Sequence, residues 1–166
     1  MTHPLGAQLR RVHDTLRADL RALQAAAAGG APADARRTLP AHCLAFCAAL
    51  TAHHTGEDAA VFPLLAERFP ELAPVLQKMA EDHEMISGIL ARVEELAGEL
   101  AASGSSPRLA GELDGLAAIA ESHFSFEERR ITAALDRLPD AAPALDGPVR
   151  LPRAGGGPPA QENSAL

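Results

Sequence analysis

Two hexapeptides carry most of the chemistry this chain can do. His53-His54-Thr55-Gly56-Glu57-Asp58 and His123-Phe124-Ser125-Phe126-Glu127-Glu128 both read H-x-x-x-E-[D/E]. A spacing of four sets a His and a Glu one turn apart on a single helical face. Two further His precede them by 40 residues each, His13 before His53 and His83 before His123. His13, His53 and Glu57 therefore map onto His83, His123 and Glu127 at a constant offset of 70. Asp14 with Glu84, Leu16 with Ile86, Leu20 with Leu90, Leu23 with Val93 and Asp58 with Glu128 keep the same offset. An imidazole or carboxylate buried without a partner is costly. Mutual His–Glu bonding would satisfy any one of these residues. Six that obey a two-fold repeat point instead to a metal centre shared by two helical hairpins.

Divided between two ions, the set supplies two imidazoles to each, with both Glu free to bridge. One solvent-derived oxo or hydroxo bridge brings each ion to five ligands and leaves a position open. Mixed nitrogen and oxygen donors without thiolate suit Fe or Mn first, then Zn, and Cu least. Open neighbouring positions on a redox pair suit O₂, peroxide or NO. Other metal signatures fail at named residues. E-x-x-H, the ferritin-like di-iron motif, would need an acid where Arg10, Leu39, Leu50, Thr51, Ala80 and Ala120 stand. H-E-x-x-H begins at His83-Glu84 but meets Ser87. No C-x-x-C, P-loop or G-x-G-x-x-G occurs.

Four amphipathic stretches must position these residues. The first, about 4–28, carries Leu5, Leu9, Val12, Leu16, Leu20 and Leu23 with His13 inside the stripe, and Gly29-Gly30-Ala31-Pro32 stops it. The second, about 39–69, puts Phe46, Leu50, His53 and Glu57 on one face; Pro63 predicts a kink or a break and Pro70 an end. The third, about 74–102, runs through Leu76, Met79, His83, Ile86, Leu90, Val93, Ala97 and Leu100. Ser106-Pro107 reads as a cap and first turn for the fourth, which carries Leu109, Leu113, Leu116, Ala120, His123, Glu127, Ala134 and Leu138. Short links between helices of similar length predict an all-α, up-down-up-down four-helix bundle over residues 1–138. Residues 139–166 hold six Pro and four Gly without periodicity and read as a disordered tail.

At 166 residues the chain suits one domain, and 47% hydrophobic content with 3% aromatic makes Leu, Ala, Val and Ile its core. A net charge of −7 argues against nucleic-acid and anionic-membrane partners. No apolar run is long enough for a membrane span, and Arg10 and Arg11 interrupt any signal-like segment, so a cytoplasmic location is expected. Cys43 and Cys47, four apart on one helix, are poorly placed for a disulfide and read as small buried residues.

The pattern H…H-x-x-x-E…H…H-x-x-x-E, with Phe62-Pro63 after the first acidic pair, resembles the hemerythrin-like (HHE cation-binding) family over about residues 5–138. The resemblance implies a four-helix bundle carrying a non-haem di-iron centre, with two Fe expected ahead of Mn or Zn. Carried over by motif, the ligands are His13, His53, Glu57, His83, His123 and Glu127. Oxygen-carrying hemerythrins have a further His on the third helix, where this chain has Ser87. It is thus more similar to the six-ligand branch, associated with iron or oxygen sensing, peroxide chemistry and nitrosative stress. The implied function is binding of, or reaction with, O₂, H₂O₂ or NO in sensing or stress response. The alternatives are a small di-iron oxidoreductase and an iron-binding or storage module.

His54 rivals His53, since it lies three residues before Glu57, but the repeat favours His53 and leaves His54 behind the centre or exposed. Asp58 and Glu128 are second-choice carboxylates, about 140° round a regular helix from their His. His3 and His42 read as solvated.

Overall fold

Apolar residues three and four apart give each stretch one oily face, and each face is buried against its neighbours. The computed structural model describes residues 4–29 and 33–139. Helix α1 spans Leu5–Ala27 and α2 spans Ala33–Gly56. A π turn, Glu57–Val61, carries α2 without a break into α3, Phe62–Arg68. A 3₁₀ turn, Pro70–Leu72, leads into α4, Ala73–Ser103, and α5 spans Leu109–Leu135. No strand occurs among the described residues. The helices form a bundle in which α1 packs on α2 and α5, and α4 packs on the same two.

Three details depart from the sequence reading. The second helix begins at Ala33, so Pro40 lies inside it and not next to its start. The kink expected at Pro63 is a widened turn just ahead of it, closed by the Phe62 N–H donating to the Glu57 carbonyl five residues back. A regular turn would drive the Pro63 ring into the Ala59 carbonyl, and the extra residue relieves that clash. Ser106 does not cap the fourth helix through its side chain. Its carbonyl instead accepts from Leu109 N–H at 3.2 Å, and the helix starts there. The tail expected from 139 onward lies, beyond Pro139, outside the described residues.

Two apolar clusters fill the interior. One gathers Leu16, Leu20, Phe46, Leu50, Ile86, Leu90, Leu116 and Phe124; the other gathers Leu9, Val61, Phe62, Met79 and Ile131. On each rod the polar residues fall between a member of one cluster and a member of the other: His13 between Leu9 and Leu16, His83 between Met79 and Ile86. The centre is thus a polar layer clamped by two oily ones. Burying each large apolar side chain contributes roughly 1.5–3 kcal/mol, enough in sum to hold that layer in place. Gly6 lets the start of α1 touch the end of α5. Its N–H donates to Asp136 Oδ1 at 2.8 Å, and a Cβ there would meet the Thr132 carbonyl at 3.0 Å. Cys43 and Cys47 are free and fully buried, and burial pushes both thiols up, to about 11 and about 12.

Candidate metal centre

All six residues singled out by the repeat face the polar layer and are at least nine-tenths buried. Two pairs of imidazoles meet there. His13 Nε2 lies 3.2 Å from His53 Nε2, and His83 Nε2 lies 3.1 Å from His123 Nε2. The two carboxylates span the pairs. Glu57 puts Oε1 3.1 Å from His53 Nε2 and Oε2 3.4 Å from His83 Nε2. Glu127 Oε2 lies 3.4 Å from His13 Nε2 and 3.6 Å from His123 Nε2. Each distance in one hairpin thus has a counterpart 70 residues away.

The far side of two rings fixes their tautomers. Asp58 Oδ1 lies 2.8 Å from His83 Nδ1, and Glu128 Oε1 lies 2.8 Å from His13 Nδ1. An ionised carboxylate only accepts, so each Nδ1 carries the proton and each Nε2 turns a lone pair toward the centre. Asp58 and Glu128, read from sequence as second-choice carboxylates, are therefore partners of the opposite hairpin's imidazole. The shared offset of 70 was the signal; the crossing over was not visible in it. His123 has no equivalent: Asp82 Oδ2 stands 3.6 Å from its Nδ1, too far for a hydrogen bond.

For His54 the structure decides between the two places the sequence left open. Far from being exposed, it is 5% accessible, and its ring stacks on His83 with centroids 3.9 Å apart. Residues 53 and 54 both reach the centre because they are only about 100° apart around α2. His42 is half-buried and distant from this layer, and His3 lies outside the described residues.

Burial dominates the electrostatics of this layer. Burial lowers His53 to about 3, and the neighbouring imidazoles add to the shift. Burial also lowers His54 and His123. Glu57 is pushed well up, by burial first and then by the Glu127 charge. Glu127 bears the same burial, but the adjacent His13 imidazole holds it below the usual carboxylate range. Facing carboxylates of this kind share one proton unless a cation neutralises them.

The family model of the hemerythrin HHE cation-binding domain matches residues 6–146. The chain belongs to that family. No curated protein and no solved structure matches the chain. Among the described residues, two groups have hemerythrin-type donors close enough to hold a cation: His13, His53, Glu57 and Glu127, and His54, His83 and His123. Within each group the ligand atoms lie within 4.8 Å of one another. All four oxygens of Glu57 and Glu127 are buried without a hydrogen-bond partner. Four unpaired oxygens beside inward-turned imidazole lone pairs are costly on their own and become favourable around a cation. The residues fit the cation that the family implies. Among the described residues, no helix is long and apolar enough to cross a membrane.

The two-fold repeat fails in one informative place. Beside His83 is a cavity of about 310 Å³ walled by Thr51, His54, Asp58, Ser87 and Leu90 among others. The matching cavity in the other half, beside Arg17 and Phe124, is smaller, about 190 Å³, and neither His13 nor any other histidine lines it. There Arg17 stands where the repeat puts Ser87. Its guanidinium reaches Glu121 at 2.6 Å and Glu128 at 2.9 Å and lies 5.5 Å from the centre of the Phe124 ring. One face of the centre is covered by an arginine; the other borders a cavity whose wall includes Asp58, Glu84 and Ser87.

Proposed function

We propose that this protein holds two iron ions between the paired imidazoles and takes up O₂, H₂O₂ or NO there in oxygen or redox sensing or a stress response. The observation that carries the reading is the span of Glu57 and Glu127 across both pairs of Nε2 atoms. His13 and His53 would hold one ion, His83 and His123 the other, and the two carboxylates would bridge them. Nitrogen and oxygen donors without thiolate favour iron or manganese over copper. Bound iron would supply the redox change and the affinity for small diatomic ligands. The chain's own part is to aim its lone pairs and exclude bulk water. Asp58 and Glu128 hold His83 and His13 in the ligating tautomer, and the apolar clusters on either side keep the layer dry. The cavity beside His83 is the approach for a small molecule, and Arg17 covers the opposite side.

The short links and the ring of neighbours, α1 to α2 to α4 to α5, support an up-down-up-down order for the rods within a domain ending near residue 138. A cytoplasmic setting suits two free, buried thiols.

A second reading, a small oxidoreductase, is favoured by two acidic side chains in the wall of that cavity. Asp58 and Glu84 stand there, able to pass protons to a reacting peroxide or oxygen. Stopped-flow mixing of the iron-loaded, reduced protein with O₂, H₂O₂ and NO separates the two. A stable, reversible adduct supports the binding role, and sustained turnover supports the enzyme. No reaction with any of the three would contradict both.

A further inference from the structure

His54 is an imidazole in a place where the repeat needs only a flat ring. Phe124 occupies the matching position in the other hairpin and stacks on His13, with centroids 4.1 Å apart and planes 17° apart. His54 stacks on His83 in the same way, 3.9 Å and 10°. Packing against the neighbouring imidazole therefore calls for no nitrogen. Replacing a phenyl with a buried imidazole costs desolvation unless the nitrogens find partners. His54 Nε2 is buried with none. Its ring also meets His123 edge-on at 5.1 Å, and one nitrogen from each of His54, His83 and His123 lies within 4.8 Å of the others. Asp58, one turn further along the helical rod, bonds His83 and leaves His54 to the centre.

We propose that His54 is a fifth imidazole of the centre and ligates the ion held by His83 and His123. The inference rests on the two-ion reading above. It makes the two ions inequivalent, one held by two imidazoles and the other by three, in a frame that is otherwise two-fold. The third imidazole comes from the helix that also supplies His53, at the wall of the larger cavity, which Ser87 also lines.

The test replaces His54 by the ring that the repeat puts at its counterpart. The full chain carrying His54→Phe is loaded with Fe(II), and release to a colorimetric chelator is followed beside wild type. The proposal predicts that one of the two irons is weakened at least about tenfold, as expected for loss of a group that sets metal affinity, while the other is unchanged. Two irons held as tightly as in wild type would overturn it. Should His54→Phe fail to fold, His54→Ala serves, since its vacated space opens on the cavity. Free imidazole should then restore the weakened iron, and a loss that imidazole leaves untouched would make His54 a packing residue and overturn the proposal. A wild-type chain holding a single iron overturns the two-ion reading and this proposal together. That result is distinct from the failure of His54 alone, in which wild type and variant both hold two.

Discussion

Asp58 and His83 come from different hairpins, yet Asp58 Oδ1 sits 2.8 Å from His83 Nδ1. The repeat returns the relationship: Glu128, from the second hairpin, sits 2.8 Å from His13 of the first. Each hairpin thus orients one imidazole of the other, and the centre cannot form from either alone.

The first prediction follows from that exchange. Asp58→Asn and Glu128→Gln keep the shape but remove the charge that holds the ring proton on Nδ1. Each should weaken one ion by roughly 10- to 100-fold, the usual cost of losing a group that orients a metal-bound imidazole. Competition with a chelator measures it. Affinities equal to wild type in both variants would mean that the bundle walls alone orient the rings.

The second prediction concerns access. Ser87→Arg would copy the arrangement at Arg17, with Asp58 and Glu84 standing where Glu128 and Asp14 stand in the other half. Iron content should be unchanged. The reaction of the reduced protein with H₂O₂ should slow by about tenfold or more, because a 1.4 kcal/mol barrier is a factor of ten. An unaltered rate would place the approach elsewhere.

The third concerns acid. His53 has its proton affinity depressed in the folded chain, to about 3, against an ordinary value of 6.5. Between those values the unfolded chain binds the proton and the folded chain does not. The imidazole contribution to the stability of the metal-free protein should therefore be full above the ordinary imidazole range and fall as pH drops toward 3, with Glu57, raised well up, opposing it as one group against three. The slope is up to about 1.4 kcal/mol per pH unit for each such imidazole. His54 and His123 are lowered in the same direction and add to it. Melting curves of metal-free protein at pH steps from neutral to mildly acidic would show it, with helical circular dichroism retained at neutral pH because the two apolar clusters need no metal. A melting point flat across that range would contradict the assigned burial.

The four helical rods and the convergence of His13, His53, Glu57, His83, His123 and Glu127 were legible in the sequence because both follow from period and offset. Helix boundaries were less so. The apolar pattern of the second helix starts near Leu39, and the turns from Ala33 to Thr38 carry no buried residue that could announce them. The π turn left only one trace, Pro63, which signals that something must give without saying what. His54 was left open between a place behind the centre and an exposed one because the repeat marks His53 and is silent where its halves differ. The counterpart of His54 is Phe124, and that difference is visible in the sequence, although its meaning depends on which face is buried. The roles of Asp58 and Glu128 required knowing which rods are neighbours, information that a linear pattern does not carry.

A two-iron centre built by the repeat fixes how much metal the protein must carry. Protein purified from iron-replete cells is analysed for all transition metals against chain concentration. Close to two Fe per chain are expected, falling by at least one ion in His53→Ala. One metal ion per chain, or zinc alone, would contradict it.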